Sequence, residues 1–186
     1  MLSAAVASCS ATPRASGVYT HDTRVLVRLD YDYDADGAVD VRTYMRNGRP
    51  VRLEGDTDGD GRVDRWEYYG PTGELLRIGA SSASDGREDT WIRTVGGERH
   101  VDVSIERDGV IDRREVYRDG VLLRAESDTN HDGLPDRWEE FASGRLARLL
   151  VDDQKRFGRP TRRMVYGAGG KLRIEDLTPA ENHGFR

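Results

Sequence analysis

Two series of glycines run through the chain in step, and this double period restricts how the chain can fold. The first series has one glycine every 23 to 25 residues: Gly37, Gly61, Gly86, Gly109, Gly133 and Gly158. The second follows each of these by 11 or 12 residues: Gly48, Gly73, Gly97, Gly120, Gly144 and Gly170. A period of this length predicts one supersecondary unit, copied six times and stacked on its neighbours.

The second glycine series marks the turn of a β-hairpin. Its dipeptides are Asn47-Gly48, Thr72-Gly73, Gly96-Gly97, Asp119-Gly120, Ser143-Gly144 and Gly169-Gly170. Pairs of this kind favour two-residue type I′ turns, because both turn residues need a positive φ. The flanking runs alternate as strands do: Trp66 and Tyr68 are two residues apart and therefore share one face. Each unit is predicted to be a hairpin.

Stacked hairpins satisfy one another's backbone groups, which an isolated hairpin cannot do. The sequence therefore predicts an all-β fold, an elongated antiparallel sheet of six hairpin repeats with Asp-rich loops between the hairpins. We expect a truncated signal and polar tether over residues 1–17, a single repeat domain over 18–176, and a C-terminal tail over 177–186. A capping strand is expected over 18–29. In period and turn placement, residues 30–176 resemble the MORN-type and YD-type hairpin-repeat proteins.

The first glycine series lies in the connections between hairpins. Residues 56–64 and 128–136 read D-x-[DN]-x-[DN]-G-x-x-D, which resembles the start of an EF-hand calcium loop. In such a loop the side chains at positions 1, 3, 5 and 9 and the carbonyl at position 7 surround the ion, while the glycine at position 6 makes the turn. Carboxylate and carbonyl oxygens suit Ca²⁺, with Mg²⁺ a weaker candidate, and no cluster of Cys and His favours zinc.

Three loops carry a near-complete set of these donors. The predicted ligands are Asp32, Asp34, Asp36, Ala38 and Asp40 in the first loop, Asp56, Asp58, Asp60, Arg62 and Asp64 in the second, and Asp128, Asn130, Asp132, Leu134 and Asp136 in the fifth. Glu67 and Glu139 add a carboxylate at position 12 of the second and fifth loops. Similar nine-residue loops join β-strands in integrin-like propeller repeats, where position 12 is not required. The alternative role of both glutamates is a solvent-facing pair with a neighbouring arginine.

The other loops retain fewer donors. Residues 104–112 keep positions 3, 5 and 9, and whether they bind metal is left open. The third loop keeps only Asp85 and Asp89, and the sixth has Asp153 followed by residues that are not ligands, so both are predicted to lack a site. Asp, Asn and Gly also favour turns for conformational reasons alone. Three near-complete copies favour metal, because carboxylates held close together need a cation.

Composition narrows the function. Hydrophobic residues make up 36% of the chain and charged residues 34%, which predicts a thin, well-hydrated structure. The net charge of -5 argues against nucleic acid. Four scattered histidines and the lack of a nucleophile motif predict a non-enzymatic protein. We expect a calcium-binding scaffold or adhesion protein whose partners are calcium and a surface protein or glycan.

The alternative is a carbohydrate- or protein-binding module that uses an aromatic sheet face and in which calcium is only structural. Trp66, Trp91 and Trp138 recur at one offset in their repeats. An exposed row of aromatic side chains would favour this alternative, and buried ones would favour the scaffold.

The lone cysteine suggests a location. Cys9 follows Val6-Ala7-Ser8, and Val-Ala-Ser-Cys resembles the bacterial lipobox, in which the cysteine is lipidated. Only eight residues precede Cys9, without Lys or Arg, so we expect the true start to lie further upstream. The resemblance implies a bacterial cell-envelope protein, periplasmic or on the outer surface, that is attached to a membrane only through a lipid anchor at Cys9.

Overall fold

The computed structural model describes residues 12–153, 158–167 and 170–178, and all fourteen regular elements in these ranges are β-strands. They are β1 (Arg14–Tyr19), β2 (Leu26–Asp32), β3 (Val41–Arg46), β4 (Arg49–Gly55), β5 (Arg65–Tyr69), β6 (Leu75–Ala80), β7 (Thr90–Val95), β8 (Glu98–Val103), β9 (Arg113–Arg118), β10 (Val121–Ser127), β11 (Arg137–Ala142), β12 (Arg145–Val151), β13 (Arg162–Tyr166) and β14 (Leu172–Asp176). The predicted all-β class is confirmed. The described ranges contain no helix long and apolar enough to cross a membrane.

The strands form one open antiparallel sheet, and their order in the sheet is their order in the chain. The six predicted hairpins are therefore confirmed, from β3–β4 to β13–β14. The chain divides into two compact units. The first comprises the residues up to Leu76 together with Ala83–Arg87, and the second comprises Arg77–Ser82 and the residues from Glu88 onward.

Four hairpin turns have the predicted backbone. Asn47 and Gly48 have φ values of 51° and 74°, as a type I′ turn requires. The same pair of positive values recurs at 96–97, 119–120 and 143–144. Asn, Asp and Gly adopt a positive φ readily, and here Ser143 adopts one too.

The turn between β5 and β6 differs from the prediction. The N–H of Gly73 donates to the carbonyl of Gly70 at 3.0 Å, which closes a four-residue turn, and only Gly73 has a positive φ. Pro71 fixes its own φ near −65°, and a β-branched Thr72 resists positive φ, so a two-residue type I′ turn does not form. The sixth hairpin has the same bond, from Gly170 to Gly167 at 3.2 Å; Gly169 lies outside the described residues.

The N-terminal cap is a hairpin and not the single strand expected over 18–29. β1 ends at Tyr19 and β2 begins at Leu26, and the two pair in antiparallel register from Arg14↔Asp32 onward. The connection is closed by a bond of 2.8 Å from the N–H of Thr20 to the carbonyl of Val25. The prediction missed this turn because it contains no glycine.

The buried side chains are few and mostly polar. Among the described residues, six hydrophobic side chains are buried: Trp66, Val101, Val116, Ala125, Leu149 and Leu150. Thirteen polar or charged ones are also buried, and most of these stand at the first or ninth position of an Asp-rich loop. Most buried polar groups in native proteins are hydrogen-bonded, and among the described residues the loop ends are internally bonded except at Oδ1 of Asp32.

The loops are named here by their place in the chain. They are loop one (32–40), loop two (56–64), loop three (81–89), loop four (104–112), loop five (128–136) and loop six (152–161). Within each unit, successive loops emerge from the same end of the strands, because two strands separate them. In loops two, four, five and six the first residue donates its N–H to the carbonyl of position 9 in the preceding loop, as in Asp56 to Asp40 at 2.8 Å and Asp128 to Asp112 at 2.8 Å.

Candidate metal-binding loops

Loops one to five share one backbone conformation. Position 6 is a glycine with φ between 82° and 97° in each. Position 4 also has a positive φ, although it is a glycine only in loop two; the residues are Ala35, Gly59, Ser84, Arg107 and His131. A positive φ is strained in a residue other than glycine, so hydrogen bonds around the loop must stabilise this conformation.

Side-chain carboxylates supply those bonds. The position-5 carboxylate accepts the N–H of position 7, as in Asp36 to Ala38 at 2.7 Å and Asp60 to Arg62 at 2.8 Å. The position-9 carboxylate accepts the N–H of position 2, as in Asp112 to Ile105 at 2.7 Å. Both positions are aspartate in loops one to five. They shape the loop whether or not it holds a metal.

Positions 1 and 3 distinguish the loops. Loop three has Ser81 and Ala83 there, yet keeps the positive φ at Ser84 and Gly86. A carboxylate at positions 1 and 3 is therefore not needed to fold the loop. In loops one and two carboxylates occupy both positions, where position 1 accepts the N–H of position 6 and position 3 accepts the N–H of position 5.

Loop one brings three carboxylates together with spare oxygens. Oxygens of Asp32, Asp34 and Asp40 lie within 4.8 Å of one another. Asp32 is only 8% exposed; its Oδ2 accepts the N–H of Gly37 at 3.2 Å, while its Oδ1 is buried with no hydrogen-bond partner. Asp40 accepts the N–H of Tyr33 with Oδ2 at 2.5 Å. A buried, unpaired carboxylate oxygen is costly without a cation.

Loop two gathers a different set. Oxygens of Asp56, Asp58 and Asp60 lie within 4.8 Å of one another, and Asp64 is not among them. Both oxygens of Asp64 accept the hydroxyl of Thr57 at 2.8 Å, and Oδ2 also accepts its N–H. The residue at position 2 thus determines whether the carboxylate at position 9 keeps an oxygen for a metal. In loop two the hydroxyl of Thr57 engages Asp64, whereas in loop one Tyr33 bonds Asp40 through its backbone N–H alone.

A residue of loop three also contacts loop two. The hydroxyl of Ser84 donates to Oδ2 of Asp58 at 2.7 Å, and this bond lowers the pKa of Asp58 below its ordinary value. Ser84 is the position-4 residue whose positive φ directs its side chain toward the preceding loop. Loop three, although it lacks ligands at positions 1 and 3, helps to fix a carboxylate of loop two.

Loop five resembles loop two, with an amide at position 3. Asn130 accepts the N–H of Asp132 at 3.0 Å, and Asp128 accepts the N–H of Gly133 at 2.7 Å. Asp136 is engaged through both oxygens by the hydroxyl of Thr129, at 2.9 and 2.8 Å. The geometry is that of a turn of the same type with fewer free oxygens than loop one.

Loop four closes on protein groups. Its Ser104 lies 3.2 Å from Asp108, and Asp112 accepts two backbone N–H groups with Oδ2. Nδ1 of His131, from loop five, lies 3.1 Å from Oδ1 of Asp112 and this bond raises the pKa of His131. Nε2 of the same ring is 3.7 Å from Glu106. The side chains at positions 3, 5 and 9 of residues 104–112, whose role as metal ligands the sequence left open, are thus already engaged by protein groups.

Loop six is one residue longer than expected. The N–H of Thr161 donates to the carbonyl of Val151 at 2.8 Å, and the N–H of Asp153 donates to the Thr161 hydroxyl at 3.1 Å. By comparison with the other loops, Asp152 stands at position 1 and Asp153 at position 2. Residues 154–157 lie outside the described residues.

The two glutamates at position 12 are committed to ion pairs. Glu67 accepts Arg65 at 2.9 and 2.7 Å and also bonds the hydroxyl of Tyr69. Burial raises the pKa of Glu67, but the bonds from Tyr69 and Arg65 outweigh it and leave the pKa below its ordinary value.

Glu139 is held between two arginines. It accepts Arg137 at 2.7 Å and Arg113 at 2.9 Å. Both glutamates therefore have the alternative role, a pair with a neighbouring arginine, although Glu139 is buried and not solvent-facing.

The three tryptophans, all of them among the described residues, do not form an exposed row. Trp66 is 7% exposed, and Trp91 and Trp138 are half-buried. The indole N–H of Trp91 donates to Glu88 at 2.6 Å. An exposed aromatic row is expected of a binding face and buried aromatic side chains of a scaffold, so this arrangement favours the scaffold. Cys9 lies outside the described residues.

Comparison with known proteins identifies no family. No protein-family model and no curated protein matches the chain. Among solved structures it is similar to the crystal structure of an S. aureus TarM mutant in complex with fondaparinux, alpha-GlcNAc-glycerol and UDP, with 14% identity and a TM-score of 0.38. The match covers 65% of this chain and 20% of that one, so the chain spans about a fifth of its length. A likeness this low carries no argument about fold or function.

Proposed function

We propose that this chain is a calcium-binding, non-enzymatic repeat scaffold or adhesion protein of the bacterial cell envelope. Ca²⁺ binds in loops one, two and five through the side chains at positions 1, 3, 5 and 9 and the carbonyl at position 7. Those carbonyls belong to Ala38, Arg62 and Leu134. Bound ions neutralise the carboxylates and stiffen the connections between hairpins.

The observation that carries the proposal is the unpaired Oδ1 of Asp32. It belongs to a side chain that is more than nine-tenths buried, and that side chain is one of three whose oxygens converge. A carboxylate buried without a partner is normally neutralised by protonation or by a bound cation. With two further carboxylates within 4.8 Å, a hard dication fits the site better than a proton.

Calorimetric titration of the full chain with CaCl₂, and separately with MgCl₂, tests the proposal. We expect Ca²⁺ to bind at three sites, with dissociation constants on the order of 10⁻⁴–10⁻³ M as in extracellular modules, and Mg²⁺ to bind more weakly. Asp32→Asn should remove one site. Asp22→Asn, in an exposed turn, is the control and should remove none. No heat of Ca²⁺ binding to the wild-type chain would overturn the proposal.

The envelope location has its own test. A chain expressed with an upstream signal sequence should partition with membranes, because a lipid on Cys9 supplies buried methylene groups. Cys9→Ser should release the protein, and Ser10→Ala should not. Equal partitioning of all three chains would remove the lipid anchor from the proposal and leave the calcium sites untouched.

A further inference from the structure

An open cleft of about 600 Å³ separates loops one and two within the first unit. Asp34 and Asp40 line one side, and Asp56 and Asp58 line the other. All four are candidate metal ligands, so ions bound in the two loops would border the same space. Asp32, whose buried Oδ1 is unpaired, does not itself line the cleft, but it belongs to the same loop-one set of carboxylates as Asp34 and Asp40.

The coordination of both ions would be incomplete. Ca²⁺ takes about six to eight oxygens, and each loop offers five donor residues, which supply five oxygens when each carboxylate ligates through one oxygen. Position 12, which completes an EF-hand with a bidentate carboxylate, is Thr43 in loop one. In loop two it is Glu67, whose oxygens are held by Arg65 and Tyr69. One or more positions on each ion are therefore left for water or for an oxygen of another molecule.

The cleft also provides an aromatic wall and an apolar floor. Tyr33, at position 2 of loop one, is 58% exposed and lines the cleft, and its ring meets that of Tyr31 edge to face with 4.2 Å between the ring centroids. Leu53 and Val41 lie among the lining residues between the loops. A large, exposed ring held in place by a second ring is a surface on which the apolar face of a sugar packs.

Charge bears on the class of ligand. Asp34, Asp40, Asp56, Asp58 and Glu67 line the cleft together with Arg65, so five negative charges and one positive charge are balanced by the four positive charges of two Ca²⁺ ions. With both ions bound, the cleft has no excess positive charge that would select an anion. Neutral vicinal hydroxyls fit, because their oxygens ligate the ion while their O–H groups donate to the aspartates.

We propose that this cleft binds a neutral saccharide through calcium, with two adjacent hydroxyls filling open coordination positions and Tyr33 packing against the ring. The inference rests on the proposed calcium sites and adds a ligand to them. It differs from a binding face built on the tryptophans, because the ligand lies at the loops and cannot bind without metal.

The test is saturation-transfer NMR on the full chain with methyl α-mannoside, methyl α-glucoside and methyl α-galactoside. Each probe is measured in CaCl₂ and in EDTA. We expect at least one to bind in CaCl₂ and none in EDTA. Tyr33→Ala should weaken binding about three- to tenfold, the effect of one stacked ring. Tyr33→Phe should retain binding.

Tyr19→Ala is the matched control, since Tyr19 is 54% exposed on β1 and does not line the cleft. All variants should bind the same number of Ca²⁺ ions as the wild type, which shows that they are folded. Calcium binding without binding of any of the three glycosides overturns this inference alone. Glycoside binding that persists in EDTA also overturns it. An absence of calcium binding overturns the proposed function as well.

Discussion

At the scale of single residues, the aspartates of these loops divide into two classes. Positions 5 and 9 bond backbone N–H groups in every loop from one to five, including loop three, and so act on conformation. Aspartates at positions 1 and 3 also accept backbone N–H groups, as Asp34 does from Asp36 at 3.1 Å, but the loop does not require them, because loop three folds with Ser81 and Ala83 there. A substitution at position 3 therefore separates metal binding from turn formation better than one at position 5.

Asp34→Ala and Asp85→Ala should differ in their effect on metal binding. Asp34→Ala removes a position-3 carboxylate from loop one and should lower the number of bound Ca²⁺ ions by one; it also removes the acceptor of the Asp36 N–H, at 3.1 Å, and should cost about 1 kcal/mol of metal-free stability. Asp85→Ala removes the acceptor of the Arg87 N–H, at 3.1 Å, and should cost about 1 kcal/mol without changing the number of ions. Calorimetric titration and urea unfolding in EDTA measure both quantities. The same ion count in Asp34→Ala as in wild type would contradict the division.

Position 2 offers a second contrast. Thr57→Val removes the hydroxyl that engages both oxygens of Asp64. We expect tighter Ca²⁺ binding at loop two, because a carboxylate oxygen becomes free, and a loss of about 1 kcal/mol in metal-free stability. Tyr33→Thr, the reciprocal change in loop one, should weaken binding there. Titration calorimetry of the two variants decides the matter: unchanged affinity in both would mean that position 9 does not ligate the ion.

At the scale of strands and turns, ion pairs beside the loops replace much of a hydrophobic core. Glu139 on β11 joins Arg137 on its own strand to Arg113 on β9. Its side chain is 9% exposed, whereas that of Glu140, paired with Arg148 at 3.0 Å, is 40% exposed. The first pair is shielded from solvent and should contribute more to stability than the second.

Glu139→Gln should therefore lower the free energy of unfolding by about 2 kcal/mol, and Glu140→Gln by less than about 0.5 kcal/mol. Burial raises the pKa of Glu139, but the bonds from Arg137 and Arg113 outweigh it and set the pKa below its ordinary value. The contribution of this carboxylate is thus present above its unfolded pKa, about 4.3, and is lost as the pH falls through the lower folded pKa. Urea unfolding in EDTA from pH 7 to pH 3 should show the difference between wild type and Glu139→Gln shrinking. A pH-independent difference, or a Ca²⁺ ion lost with the substitution, would contradict the ion-pair role.

How far the sequence predicts these elements depends on whether the signal is local. Paired turn residues at 47–48 and 119–120 carry their own conformational preference, and those hairpins are as predicted. The turn before β6 is decided by Pro71, outside the expected pair. The insertion in loop six shifts Asp152 to position 1, and only the bonds between neighbouring loops reveal it. Thr57 engages Asp64 through a hydroxyl at position 2. The sequence shows this hydroxyl, but the loop motif does not specify position 2, so the bond was not predicted.

At the scale of the whole molecule, the chain buries little hydrophobic surface, and its buried polar groups concentrate where loops meet strands. Most of these groups are satisfied by fixed hydrogen bonds, but carboxylates gathered in loops one and two repel one another when no cation is present. Stability should therefore depend on metal across all the loops that bind it. The described residues of the hairpin turns, at the opposite ends of the strands, contain no such clusters, and these turns should not respond to metal.

Calcium should raise the thermal stability of the chain through preferential binding to the folded state. At a Ca²⁺ concentration ten times the dissociation constant, each site contributes about 1.4 kcal/mol, and three sites about 4 kcal/mol. For a domain of this size that corresponds to an increase in Tm of roughly 8–16 °C. Differential scanning calorimetry in CaCl₂, MgCl₂ and EDTA should show the largest increase with Ca²⁺ and a smaller one with Mg²⁺. Asp34→Ala combined with Asp58→Ala should remove about two thirds of the increase, since loop five remains, and Asp22→Asn should leave it unchanged. Identical melting curves in CaCl₂ and EDTA would mean that the aspartates only shape turns.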